Sequence, residues 1–297
     1  MSCCLPFIST DRHENPIVAA HHGGHIASWM AACARGCVRA VLVSSLTIAA
    51  APFTRAVKLQ VRDGRPIVDG VYVNGHGPYR FLVDTGANVN LIDLRLARKI
   101  GMDPTFHVEL ASAAGRVLTP GSDDNEIALD PVQASGQKFL FSGLDAIHSS
   151  SPDVQGVLGQ WFLSHFDYTL DLRGKRLDFG SLEASGTRSR FRMVNARPVV
   201  STSLGDLALD SGEARLVLFG IKPDERFGTA YELRTFAGSQ QVGTVSGKPL
   251  IIQGKKVSSG DALAIPDRAE PGVDGLMPLS LFQSVYVCNS GGYVVFD

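Results

Sequence analysis

One stretch of this chain is written twice. FLVDTGANVNLI at 81–92 is echoed by LALDSGEARLVL at 207–218, and GVLGQWFLSHFDYTLDL at 156–172 by GLMPLSLFQSVYVCN at 275–289. The two elements keep their order, 72 residues apart in the first copy (84 to 156) and 65 in the second (210 to 275). An ordered internal repeat constrains the fold more than composition does, because the chain must build one supersecondary unit twice. Each copy carries one acid at the end of an apolar run, in Asp84-Thr85-Gly86 and Asp210-Ser211-Gly212. Alone, either tripeptide reads as an ordinary turn. Their shared context sets them apart: each follows an apolar strand and precedes a later Gly-apolar-apolar segment in its own half.

The local signals between these motifs are β. Val57, Leu59 and Val61 alternate with polar residues, and Asp63-Gly64 and Asn74-Gly75 are hairpin turns. Tyr79 to Val83 forms an apolar strand running into Asp84. One helix is predicted, with Asp93 as its N-cap, Leu94 to Ile100 as its body and Gly101 as its stop. Each half ends in a hairpin, one turning at Arg173-Gly174 and the other near Ser290-Gly291-Gly292. The polar stretch 183–187 is the seam, which places one lobe at 52–183 and a second at 188–297.

The first fifty residues read differently. Arg35 and Arg39 precede an apolar run, 40–51, that ends in small residues. That order is the pattern of a secretory signal, and the run is too short to span a bilayer. A leader over 1–51 is expected, cleaved near Ala49-x-Ala51, with Pro52 displacing the cut by a few residues. Met30 begins a conventional signal by itself, so residues 1–29 are read as upstream of the true start. His21, His22 and His25 fall in that stretch and are not taken as metal ligands. Cys3, Cys4, Cys33 and Cys37 leave with the leader, so Cys288 alone remains and neither a disulfide nor a Cys-based metal site is expected. The net charge of −1 gives no support to nucleic-acid or anionic-membrane binding.

Phe81-Leu82-Val83-Asp84-Thr85-Gly86-Ala87 and Gly156-Val157-Leu158-Gly159, followed by Phe162-Leu163 and 166–171, resemble the two signatures of the pepsin/retropepsin superfamily of aspartic proteases. The bacterial retropepsin-like proteins are the nearest form, here doubled in one chain. The resemblance covers most of 57–297. It implies an all-β protein of two similar barrel-like lobes in the acid-protease fold, with a cleft between them and few short helices. It places Asp84 and Asp210 where the catalytic aspartates stand, and it gives Thr85 and Ser211 hydrogen bonds across the lobe junction. Gly86 and Gly212 let the backbone turn its N–H groups towards the carboxylates. Hairpin flaps are expected over the cleft, with tips at 113–116 (Ala114, Gly115) and 236–239 (Ala237, Gly238). Ala87 and Glu213 are expected at the cleft floor, where substrate binds.

Two carboxylates held a few ångströms apart share one proton, because both cannot ionise easily. The ionised member takes a proton from water, and the protonated member supports the scissile carbonyl. No metal or other cofactor is required. The expected activity is therefore that of an exported, monomeric aspartic endopeptidase, periplasmic or secreted, acting on polypeptides. Two alternatives stay open: a silent peptide-binding protein of the same fold, and a homodimer using Asp84 only. Two departures bear on this choice. Glu213 stands where a small residue is usual and either loads the dyad with a third negative charge, selects a basic substrate side chain, or faces solvent. Pro278 replaces the glycine seen at 159. Gly-x-Ser-x-Gly, His-Glu-x-x-His and nucleotide-binding glycine motifs are absent from the sequence. His76, His107, His148 and His165 are scattered and read as surface or core histidines.

Overall fold

A computed structural model describes residues 2–4, 56–112, 115–180, 186–224, 231–235, 238–247, 249–258, 260–267 and 271–297. The expected leader thus lies outside the described residues, save Ser2–Cys4, a short strand paired in parallel with Tyr231–Thr235. His21, His22 and His25 lie outside them too. Among the described residues the regular structure is almost all strand, gathered in sheets of thirteen and nine strands and one separate hairpin. The helices are short: Leu94–Lys99, Asp145–His148, Gln160–Leu163 and a single 3-10 turn at Leu279–Leu281. The protein is all-β with few short helices, as the sequence led one to expect.

Turn chemistry sets the first elements. Strand Val57–Arg62 turns into Arg65–Val73 through Asp63 (φ 50°) and Gly64 (φ 78°). Arg65–Val73 turns into His76–Val83 through Asn74 (φ 51°) and Gly75 (φ 76°). Two left-handed residues in succession match the twist of the flanking strands, which is why Asp-Gly and Asn-Gly stand there. The expected helix forms over Leu94–Lys99. Asp93 Oδ1 accepts from the N–H groups of Arg95 and Leu96, and Gly101 (φ 70°) follows the last turn.

Strand His76–Val83 delivers Asp84. It lies parallel to Gly156–Leu158, with Phe81 opposite Gly156 and Val83 opposite Leu158. The later Gly-apolar-apolar segment of the first copy is therefore the neighbour of its aspartate strand. The second copy repeats this arrangement. Strand Gly205–Asp210 lies parallel to Gly275–Pro278, with Leu207 opposite Gly275 and Asp210 opposite Pro278. The hairpins that close the two copies also join each other. Tyr168–Asp171 pairs antiparallel with Ser284–Cys288, Tyr168 opposite Val287, and Thr187–Arg190 closes on Tyr293–Phe296. The thirteen-stranded sheet thus runs through strands from both halves of the sequence.

The strands that carry the acids are anchored by apolar burial. Phe81, Val83, Leu207 and Leu209 are fully buried, each contributing roughly 1.5–3 kcal/mol relative to exposure. Phe81 meets the Phe139 ring edge-on at 6.3 Å, and Phe162, Phe166 and Phe179 pack together beneath the first copy. Cys288 is a buried free thiol.

Candidate active site

Asp84 and Asp210 converge, although 126 residues separate them. A Cβ placed on Gly86 would lie 2.4 Å from Asp210 Oδ2, and one on Gly212 would lie 2.1 Å from Asp84 Oδ2. Each carboxyl group therefore occupies the space that a side chain would fill in the opposite Asp-Thr/Ser-Gly loop. Only glycine permits that approach. Each loop also solvates its own acid. Asp84 Oδ1 accepts the N–H of Gly86 at 2.8 Å and of Ala87 at 3.1 Å. Asp210 Oδ1 accepts the N–H of Gly212 at 2.9 Å and of Glu213 at 2.8 Å.

Thr85 and Ser211 tie the two loops together with four hydrogen bonds. The Thr85 N–H donates to Ser211 Oγ at 3.0 Å, and the Ser211 N–H donates to Thr85 Oγ1 at 3.0 Å. The Thr85 hydroxyl donates to the Leu209 carbonyl at 2.9 Å, and the Ser211 hydroxyl to the Val83 carbonyl at 2.7 Å. Each hydroxyl accepts one bond from the opposite loop and donates another to it. That cross-bracing fixes the separation of the acids.

Both acids are buried, and both have pKa values above the usual carboxylate range. For Asp84, burial is the main cause and the negative charge of Asp210 adds to it, against the two N–H bonds that pull the other way. For Asp210, burial again raises the value, and the positive charge of Arg197 opposes it. A pair so placed resists double ionisation, because burial and each acid's charge disfavour ionising the other.

Ala87 and Glu213 are fully buried, and each gives its backbone N–H to the aspartate three residues before it. Glu213 thus does not face solvent. Its Oε1 accepts from the N–H groups of Ala214 at 2.8 Å and Arg215 at 3.1 Å, so the side chain caps its own loop.

The first copy rests on residues that the Asp motif does not reveal. Gly159, in register behind Asp84, gives its N–H to Asn90 Oδ1 at 3.0 Å. The Gln160 side chain donates to the Thr85 carbonyl at 2.8 Å, and its backbone N–H to the Ala87 carbonyl at 2.8 Å. A Cβ on Gly159 would stand 2.0 Å from the Val89 carbonyl oxygen. A buried Arg197 also reaches this site, with Nη1 3.5 Å from the Gly86 carbonyl oxygen. Its signal was present in the sequence, as Arg-Pro-Val-Val at 197–200 repeats Arg-Pro-Ile-Val at 65–68.

The expected flap positions fall on hairpins. Phe106–Ser112 pairs with Gly115–Leu129, Ser112 opposite Gly115; Tyr231–Thr235 pairs with Gly238–Val245, Thr235 opposite Gly238. The tips 113–114 and 236–237, with Ala114 and Ala237, lie outside the described residues. Both hairpins line one cavity of about 390 Å³, through Val117 to Pro120 on one side and Glu232, Arg234 and Ser239 on the other. Phe141 to Ile147 completes its wall. Leu118 is 68% exposed at this place, unusual for so large an apolar side chain. Among the described residues, no group of three His, Cys, Asp or Glu side chains could hold a metal ion.

Comparison with known proteins gives three results. Residues 70–162 match a family model described as aspartyl protease, a span that includes Asp84 and residues 156–162. A solved structure described as a retropepsin-like aspartic protease from Rickettsia conorii is 20% identical, over 41% of this chain and 87% of that one, with a TM-score of 0.31. No curated protein sequence matches the chain.

Proposed function

We propose that this protein is an aspartic endopeptidase whose dyad is Asp84 and Asp210. The observation that carries the reading is reciprocal placement: each carboxyl group sits against the glycine of the other copy's loop. The match of residues 70–162 to the aspartyl protease model supports the first half of the pair.

In this reading one carboxyl group is protonated and the other ionised. The ionised acid takes a proton from a water held between them, and the water oxygen bonds to the scissile carbonyl carbon. The carbonyl electron pair moves onto its oxygen, which receives the proton of the other acid and gives a neutral gem-diol. Collapse returns a gem-diol proton to that second acid while the C–N bond breaks. The first acid passes its newly gained proton to the leaving nitrogen. Both acids end as they began, and no covalent intermediate forms. Thr85 and Ser211 hold the separation that this exchange needs. Gln160 and Asn90 hold the Asp84 loop from behind. Because both acids come from one chain, a monomer suffices. Export rests on the leader pattern in the sequence.

Asp84→Asn and Asp210→Asn test the reading on a peptide library between pH 3 and 7. Each is expected to lower kcat by about 10²–10⁴-fold, with circular dichroism unchanged. A statine-type mimic should protect the wild type from thermal unfolding and fail to protect either variant. A wild type that cleaves nothing, or an Asp210→Asn variant that cleaves normally, would refute it.

A further inference from the structure

The Arg-Pro-Ile-Val and Arg-Pro-Val-Val repeats open the strands that run antiparallel beside the two aspartate strands. Each follows a two-residue turn with both residues left-handed: Asp63 and Gly64 (50° and 78°) in the first copy, Asn195 and Ala196 (46° and 60°) in the second. In the first ladder Ile67 is opposite Leu82 and Val68 opposite Phe81; in the second, Val199 is opposite Ala208 and Val200 opposite Leu207. Continuing each register by two residues sets Arg65 across from Asp84 and Arg197 across from Asp210. Residues directly across an antiparallel pair share a face, so each arginine projects to the side of its aspartate. Both arginines are buried, at 5% and 3% exposure. A guanidinium keeps its charge at every pH of interest here.

The two arginines diverge beyond that point. Arg65 Nη1 donates to Ser150 Oγ at 3.1 Å, within its own half of the sequence. Arg197 Nη1 points across the junction to the Gly86 carbonyl of the opposite aspartate loop. Its positive charge is the largest influence opposing burial at Asp210. The largest charge acting on Asp84 is the negative one of Asp210. Asp84 Oδ2 is buried in the opposite loop, and the Asp84 carboxyl group hydrogen-bonds with that of Asp210 in a sense that raises Asp84 and lowers Asp210. One shared proton serves both groups, since a protonated Asp84 donates to the Asp210 carboxylate. Among the described residues, Glu213, whose backbone serves Asp210, and Tyr168, which is buried within reach of the Asp84 charge, also stand at the pair.

We propose that Arg197 is a positioning residue that breaks the symmetry of the dyad, keeping Asp210 ionised as the base and leaving the shared proton on Asp84 Oδ2 as the acid. The proposal rests on the endopeptidase reading for its catalytic meaning, but its test reads the proton directly. Protein labelled with ¹³C at the aspartate carboxyl carbon is titrated by NMR in two variants that each leave one acid. Asp210 in Asp84→Asn should titrate below Asp84 in Asp210→Asn. Adding Arg197→Gln to Asp84→Asn should raise the Asp210 titration by about 1–3 pH units. Adding Arg65→Gln to Asp210→Asn should move Asp84 by less. In the active enzyme, Arg197→Gln should carry the acid limb of the kcat/KM profile to higher pH, and Arg197→Lys should return it towards the wild-type position. Equal or reversed titrations of the two single acids overturn the proposal even if Arg197→Gln fails to fold. So does an Asp210 titration indifferent to Arg197. A wild type that cleaves no peptide sinks the endopeptidase reading instead and leaves the titrations intact.

Discussion

The loop after Asp84 and the loop after Asp210 carry the same backbone geometry on different supports. Behind Asp84, Gly159 lets the backbone close to within a Cβ's width of Val89, and Gln160 and Asn90 add hydrogen bonds to the loop carbonyls and to Gly159. Behind Asp210 the register position of Gly159 is held by Pro278, followed by the apolar Leu279 where the first copy has Gln160. There Glu213 caps the loop from within, while Arg197, on the strand beside Asp210, reaches across to the Gly86 carbonyl of the other loop. A duplicated unit can keep its central exchange of carboxylates and glycines while each copy finds its own scaffold. What both copies must preserve is the part that touches the other copy.

That comparison can be broken most sharply at the glycines. Gly86→Ala and Gly212→Ala drive a Cβ into the opposing carboxyl group, and a displacement of about 1 Å costs about 10²-fold in rate. The losses should be equal in the two copies, measured as kcat/KM on one peptide. A large inequality would show that the two loops do not meet symmetrically. Next come the supports. Gly159→Ala should destabilise by about 1–3 kcal/mol in urea unfolding, because the Val89 backbone cannot yield. Pro278→Gly, at the matching position, should cost about 1 kcal/mol or less, chiefly through the freer unfolded chain. A comparable loss at both would mean that the second copy is braced as rigidly as the first.

Thr85→Val and Ser211→Ala should each cost about 1–3 kcal/mol by leaving buried partners unsatisfied. Each removes a different two of the four bonds, so their double-mutant cycle should depart from additivity only through the junction that the two loops share. The smallest effect is on stability against pH. The folded-state pKa of Asp84 is raised, so its ionisation opposes folding. Stability is greatest below the unfolded aspartate value, near 4, and falls as pH rises through the folded one. Asp84→Asn keeps the acceptor for Gly86 and Ala87 and removes the charge. It should therefore raise Tm by a few °C at pH 7 and leave it nearly unchanged at pH 3. Equal shifts at both pH values would mean that the buried charge does not weaken the fold.

Much of the site was legible in the sequence because its parts are local. Asp-Thr-Gly and Asp-Ser-Gly at the ends of apolar strands, the Asp-Gly and Asn-Gly turns and the Asp93 cap each depend on residues within a few positions. The later Gly-Val-Leu and Gly-Leu-Met segments were legible through repetition, and they proved to be the parallel neighbours of the aspartate strands. Arg65 and Arg197 were overlooked although they repeat as well. A buried arginine looks like any surface arginine until the ladder register sets it across from an aspartate. Glu213 was readable as a departure, but not as a cap, since its direction depends on how the 210–215 loop closes.

The sequence by itself determined that an acid closes an apolar strand twice and that a Gly-apolar-apolar segment follows each time, because strand period, turn chemistry and repetition are properties of neighbouring residues. Only the tertiary structure decided that the two closing hairpins pair, that each carboxyl group lies over the other copy's glycine, and that one arginine of two faces across the junction. Those are contacts between residues more than a hundred positions apart. They follow from sheet register and close packing in three dimensions, which no local pattern encodes.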